Sequence, residues 1–89
     1  MIGRRLPDSL DKSCPDLQPG DYAKIADVGW YCMTPDGHVG NLRNHTIEEH
    51  ADGTITVTPS ILISRLRTNA TEPEELWHGF LEKGIWRKV

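Results

Sequence analysis

The side chains most able to bind a metal ion are two cysteines and four histidines scattered along the chain. Cys14 and Cys32 lie eighteen residues apart, so the paired spacing of a zinc ribbon is absent. Cys32, His45 and His78 are a ligand mixture that zinc accepts, but they could meet only if the fold brought three strands together. We therefore expect no cofactor, and a structural zinc site on these three residues is an alternative.

Catalytic motifs are not recognisable in the chain. It contains no G-x-S-x-G, H-E-x-x-H, phosphate-binding loop or dinucleotide fingerprint. Ser60 follows a proline at the start of an apolar stretch, where we expect its hydroxyl to bond to the local backbone. The sequence therefore predicts a protein that is not an enzyme.

The stretch 77-WHGFLEKGIW-86 concentrates aromatic residues in a chain that has few. A histidine beside aromatic rings is a common arrangement in ligand sites. The alternative is a histidine at the margin of a sheet that is hydrogen-bonded only to the backbone. The candidate residues for binding a ligand or partner are His45, Trp77, His78, Phe80 and Trp86.

Composition excludes some partners. The 89 residues form one domain, with a net charge of −3 and a pI of about 5.7, and this acidic balance argues against nucleic-acid binding. The start of the chain is polar and no apolar run approaches the ~18 residues of a membrane span. We expect a cytoplasmic protein with reduced thiols.

Two-residue periodicity dominates and predicts strands. Strands are expected over 21–25, 28–33 and 61–63, with a turn at 34–37. In 46-TIEEHADGTITVT-58, a reversal at Ala51-Asp52-Gly53 sets Ile47 opposite Val57 and separates an apolar face from a polar one.

These elements predict a mainly β fold. We expect a small single-domain antiparallel sheet or partly open barrel built from hairpins, with at most one or two short helical turns. Thr71 and Glu74 have capping-box spacing and could begin one such turn. Residues 1–19, rich in proline, read as an extended N-terminal arm that is not packed, and 20–89 as the β-rich domain.

The terminal hairpin is predicted to turn at Glu82-Lys83-Gly84, by analogy with Ala51-Asp52-Gly53. This register pairs Leu81 with Ile85 and Phe80 with Trp86. One face then carries Trp77, Leu81, Ile85 and Val89, and the other carries Leu76, His78, Phe80, Trp86 and Lys88. Because both faces hold large apolar groups, one of them is expected to contact a partner or a second subunit.

Several motifs together resemble those of short uncharacterised proteins of bacteriophages and actinobacterial hosts. They are PGDY (19–22), W-x-C-x-x-P-x-G (30–37), NL-x-x-H (41–45), EH-x-DGTITVTPSI (49–61) and WHGFLEKGIW (77–86). A more distant likeness is to phage proteins whose knuckle and terminal cysteines imply zinc. In this sequence Trp77 occupies the position of the cysteine in the terminal motif of those proteins, and TPDGH (34–38) lacks their knuckle cysteines.

Three functional hypotheses follow. The first is a small phage-type accessory protein that binds a host or phage protein, or assembles with itself as a homo-oligomer. The second is a small-ligand pocket, for a nucleotide or a sugar, lined by His45, His78 and the tryptophans. The third is the structural zinc protein.

Overall fold

Nine strands arranged in three small sheets make up the described part of the fold. The computed structural model describes residues 1–10, 16–66 and 71–89, and these contain no helix. The sheets do not close into a barrel, and the prediction of a mainly β, hairpin-built fold is confirmed. The strands are β1 Arg4–Arg5, β2 Asp21–Ile25, β3 Gly29–Met33, β4 Val39–Asn41, β5 Thr46–Glu49, β6 Ile55–Thr58, β7 Ile61–Arg65, β8 Glu74–Glu82 and β9 Ile85–Lys88.

The first sheet has the order β1-β2-β3-β4, in which β2, β3 and β4 form an antiparallel meander. The predicted turn at 34–37 is present, and the Gly37 N–H donates to the Thr34 carbonyl over 2.9 Å. The helical turn predicted at Thr71 is wrong, because Glu74 begins β8. No helix long and apolar enough to cross a membrane occurs in the part of the chain that the structure describes.

The N-terminal segment is part of this packing. β1 runs parallel to β2, and the Gly3 N–H donates to the Gly84 carbonyl over 2.7 Å. An isolated bridge joins Ile2 to Ile85. The prediction that residues 1–19 are an unpacked arm is therefore wrong for these residues, since they supply backbone donors and acceptors to two sheets. Residues 11–15 of the predicted arm lie outside the described residues.

The β5–β6 hairpin has the predicted register. Ile47 lies opposite Val57 and Glu49 opposite Ile55, with Gly53 at φ +88° closing the turn. Ile55 and Val57 are buried and Ile47 packs against the core, so the predicted apolar face is confirmed.

The β8–β9 hairpin differs by one residue from the prediction. Leu81 lies opposite Trp86 and Phe80 opposite Arg87, because the turn has only two residues, Lys83 and Gly84. Both have positive φ, +48° and +75°, as a type I′ turn requires, and this turn matches the right-handed twist of the strands. The predicted Phe80–Trp86 pair is therefore wrong. A one-residue change of register moves every β9 side chain to the opposite face.

The observed register places the two indoles of this hairpin on the same, inner face. Trp77 and Trp86 meet edge to face with ring centroids 5.4 Å apart, and the Trp86 indole N–H donates to the buried Gly20 carbonyl over 2.9 Å. A Cβ atom at Gly79 would collide with the Trp77 ring, so glycine makes room for it. The core residues, drawn from all three sheets, are Tyr22, Trp30, Cys32, Leu42, Ile55, Val57, Ile61, Trp77, Leu81 and Trp86.

The buried carboxylate of Asp21 fastens β1 to β2. Arg4 donates to its two oxygens over 3.1 and 2.9 Å, and the Gln18 N–H donates over 2.9 Å. Burial opposes ionisation of the carboxyl, but these hydrogen bonds outweigh it, and the pKa of Asp21 lies below its ordinary value.

Replacing the two neighbours Trp86 and Ile85 tests the register. Trp86→Phe removes the indole donor to the Gly20 carbonyl, which keeps only the longer bond from the Arg4 N–H (3.2 Å), and it leaves unfilled space beside Trp77. We expect it to lower the free energy of unfolding by about 2 kcal/mol. Ile85→Ala, at a side chain that is 52% exposed, is expected to change it by less than about 0.5 kcal/mol. Urea denaturation measures both, and an Ile85 variant as damaged as the Trp86 variant contradicts the observed register.

Asp21 gives the protein a pH-dependent stability. Because its folded pKa is lowered, the contribution is fully present above the unfolded value of about 3.9 and is lost as the pH falls through the folded pKa. Asp21→Asn is expected to destabilise the protein at pH 7 and to reduce the loss of stability between pH 7 and about pH 3. Urea titrations at both pH values measure this, and an unchanged acid dependence in the variant argues against the assignment.

Candidate functional site

Three polar side chains from separate motifs meet at the start of β7. Ser60 lies between β6 and β7, directly after Pro59, and its Oγ is 2.9 Å from Nε2 of His78 on β8. The carbonyl of the same serine accepts a hydrogen bond from Nε2 of His45 over 3.1 Å. The expectation that the Ser60 hydroxyl bonds to local backbone is wrong, because its partner is an imidazole eighteen residues away in the chain.

A carboxylate stands behind the second imidazole. Oε1 of Glu75 is 3.7 Å from Nδ1 of His78, within ion-pair distance. A carboxylate on that side favours the tautomer with hydrogen on Nδ1, which leaves Nε2 as an acceptor for the Ser60 hydroxyl. The resulting chain of serine, imidazole and carboxylate is the arrangement in which a hydroxyl can be deprotonated.

His45 holds the backbone of Ser60. A carbonyl can only accept, so Nε2 of His45 carries the hydrogen of this bond. Its Nδ1 is then a buried acceptor, and it has no hydrogen-bond partner among the described residues. His45 therefore supports Ser60 from the protein side, whereas His78 contacts the serine hydroxyl.

Ser60 also borders a cleft of about 350 Å³ between β6 and the terminal hairpin. The ring of Phe80 and the ring of Pro59 supply apolar surface. The Arg87 guanidinium lies 5.1 Å from the centre of the Phe80 ring and donates to Glu82 over 2.6 Å. The described lining contains neither a tryptophan nor a histidine, so it differs from the predicted pocket. Its lining residues are Thr56, Val57, Thr58, Pro59, Ser60, Phe80, Glu82 and Arg87.

A second hydroxyl–imidazole pair lies on the other side of this cleft. Thr56 Oγ1 is 2.7 Å from Nε2 of His50, whose Nδ1 lies 4.0 Å from Glu48. The same oxygen accepts the backbone N–H of Lys83 over 3.0 Å, and thereby ties β6 to the tip of the terminal hairpin. Thr56 is thus engaged in joining two elements. Among the described residues, the Ser60 hydroxyl has no partner besides His78.

A larger and shallower cleft, of about 560 Å³, separates the N-terminal strand from the tip of the β5–β6 hairpin. Its arginines are already paired. Arg5 donates to Asp8, Glu49 and the Gly53 carbonyl, and Arg4 holds Asp21. The groups at this cleft join the N-terminal segment to the domain, so we place the candidate site at Ser60.

The predicted binding residues divide into two sets. Trp77 and Trp86 are each only 3% exposed and belong to the core, but both also border a cleft of about 340 Å³, and their role in binding stays a prediction. Phe80 and His78 are partly exposed, on the side of β8 opposite to Trp77 and Leu81. The role of His45, His78 and Phe80 in binding stays a prediction.

The zinc alternative gains no support from this arrangement. In the described residues no group of three or more His, Cys, Asp or Glu side chains could hold a metal ion, and Cys32, His45 and His78 do not converge. Cys32 is fully buried, and loss of solvation raises the pKa of its thiol to about 12, although a backbone hydrogen bond from Gly40 acts in the opposite direction. A neutral thiol is a poor zinc ligand, because zinc binds the thiolate.

Sequence reasoning missed three contributors to the site: Ser60 as a partner of His78, Glu75 behind that histidine, and Arg87 over Phe80. The first could not be inferred from spacing, because it depends on the pairing of β7 with β8. The second was missed because strict alternation puts residues three apart on opposite faces of a strand, and the register shift opposite Ile63 and Ser64 was not predicted. Arg87 was assigned to the wrong partner by the one-residue register error. The one signal present was that Ser60 and His78 each lie within a motif singled out in the chain.

Comparison of the chain with protein-family models, with curated proteins and with solved structures gives no match. The resemblance to phage proteins therefore stays a prediction, and the functional argument depends on the geometry alone.

The buried thiol of Cys32 is expected to be inert in the folded protein. At pH 8 its raised pKa leaves almost no thiolate, the form that reacts with iodoacetamide. Mass mapping of the Cys32 peptide should show little alkylation in the native state and complete alkylation in urea. Rapid native alkylation of Cys32 is the result that would exclude a buried neutral thiol.

Proposed function

We propose that the protein is a small accessory protein that acts by binding, and that two copies associate through the outer face of the β7–β8–β9 sheet. This surface is called the outer face below. Its large apolar members are Leu62, Leu76, Phe80, Ile85 and Val89, with His78, Glu82 and Arg87 among them. The likeness of its motifs to those of small phage proteins supports an accessory role.

One observation carries this proposal: large apolar side chains on this face are left exposed by the described residues. Leu62 and Ile85 are 52% exposed and Val89 is 71% exposed. The register explains this, because the inner face of the hairpin takes Trp77, Leu81 and Trp86. An apolar cluster rimmed by polar groups is typical of an association surface.

A second copy is the occupant that the charges favour. A two-fold interface sets a surface against its own copy, so a patch of a single sign would repel itself. The outer face carries the cation Arg87 beside the anion Glu82, which are paired over 2.6 Å. Such a mixed face can lie against its own copy without a net repulsion.

The dimensions of the sheet predict a weak association. The strands β7, β8 and β9 have 5, 9 and 4 residues. At about 3.3 Å per residue and about 4.8 Å between strands, the sheet covers roughly 300 Å², well under half of the ~800 Å² that each partner buries in a stable complex. We therefore expect a reversible dimer that forms at high micromolar concentration rather than a permanent one.

Leu62 and Val39 provide a matched pair of substitutions. They are 52% and 53% exposed, but Val39 lies on β4 in the first sheet. Leu62→Glu is expected to abolish dimer formation, since it places two like charges at the interface, whereas Val39→Glu should leave it unchanged. Sedimentation velocity from about 10 µM to about 1 mM measures both variants and the original protein.

Two results oppose the proposal. A protein that remains monomeric at about 1 mM excludes self-association and leaves a different protein as the occupant of the outer face. If Leu62→Glu and Val39→Glu weaken dimer formation equally, then added negative charge, and not the outer face, controls association.

A further inference from the structure

Ser60 has the surroundings of a reactive serine. We propose that the Ser60 hydroxyl is a nucleophile that accepts an acyl group from an activated ester or thioester bound in the adjoining cleft. The inference goes beyond the binding role and does not depend on it. It concerns one covalent transfer to the protein, with no claim of turnover.

The hydrogen bond between Ser60 and His78 defines the chemistry. The distance of 2.9 Å between Ser60 Oγ and His78 Nε2 lies within the range required of a nucleophile and its base. As Oγ attacks the acyl carbon, its proton passes to Nε2 of His78. The bond from the acyl carbon to the leaving oxygen or sulfur breaks, and the alcohol or thiol departs as its anion. No electron donor or acceptor is needed.

Two further groups position these partners. Glu75 lies 3.7 Å from Nδ1 of His78 and becomes a counter-ion when the imidazole takes the proton. His45 holds the Ser60 carbonyl from the protein side over 3.1 Å and thereby fixes the backbone that carries the hydroxyl. Both act through another residue and are positioning residues.

The cleft decides which acyl donors fit. Its volume of about 350 Å³ is near the lower end of the range for small-molecule sites. Phe80 and Pro59 offer apolar surface for an aryl or short alkyl group, and the Arg87 guanidinium at the same wall is a cation. The chemical class is therefore an activated ester or thioester of a small carboxylic acid.

The internal control is Ser64. It lies in β7, four residues after Ser60, is exposed, and has no imidazole partner in the described part of the chain. Comparing two serines in one molecule separates activation by His78 from the ordinary accessibility of a surface hydroxyl. Because both peptides come from the same folded sample, the comparison does not depend on whether a variant folds.

The experiment uses p-nitrophenyl acetate as the acyl donor. The original protein is treated at a few micromolar, where a weak dimer is dissociated, and acetylation is mapped by peptide mass spectrometry over time. We expect Ser60 to be acetylated at least roughly 100-fold faster than Ser64, the lower limit of ordinary general-base catalysis. In Ser60→Ala the fast site should be absent.

Variants of the partners identify the base. His78→Ala should reduce acetylation of Ser60 to the rate of Ser64, and added imidazole should restore part of it, which a purely structural role would not allow. Glu75→Gln should lower the rate, and Glu75→Asp should recover part of it. Acetylation of Ser60 no faster than that of Ser64, or unaffected by His78→Ala, overturns the proposal. Self-association through the outer face is measured separately and would stand in either case.

Discussion

The two-residue reversal at Lys83-Gly84 is the constraint on which the rest of the structure depends. A hairpin turn fixes the register of both its strands, and in a strand the register decides which side chains face the core. With two turn residues, Trp86 faces inward beside Trp77 and Leu81, and Ile85 faces solvent. With three turn residues, the indole of Trp86 would leave the core and the side chain of Ile85 would take its place.

This inward indole joins parts of the chain that are distant in sequence. Its N–H donates to the carbonyl of Gly20, and Gly3 packs so closely against it that an added Cβ would lie 2.8 Å from Nε1. The N-terminal segment is therefore attached to both the first sheet and the terminal hairpin. A chain of 89 residues has a thin core, and three indoles supply much of its apolar volume.

The two hairpins show how far the sequence could predict this fold. Both turns end in glycine, and the same rule applied to each gave one correct register and one wrong one. At 51–53, Asp52 accepts bonds from the Thr54 backbone and hydroxyl, and the strand pattern allowed one register only. At 82–84 both faces carried large apolar groups, so periodicity could not choose between registers. Tertiary packing chose the one that buries Trp86.

The site was less predictable than the fold for a related reason. The residues His45, His78 and Phe80 were recognised by type, but their partners depend on which strands pair. Ser60 meets His78 because Leu62 lies opposite His78 in the β7–β8 ladder. The pattern of apolar and polar residues in the sequence does not specify that pairing. The apolar outer face, in contrast, was anticipated in kind, although its members changed when the register changed.

The most direct test of the central claim is a proton NMR measurement of the contacts across the terminal hairpin. The backbone N–H of Trp86 donates to the Met1 carbonyl and not to Leu81. Leu81 and Trp86 therefore form a non-hydrogen-bonded pair, whose Hα atoms lie close together. The structure predicts a strong Hα–Hα cross-peak between Leu81 and Trp86, and another between Gly79 and Lys88. Cross-peaks that instead join Leu81 to Ile85 would contradict the register, and with it the outer face.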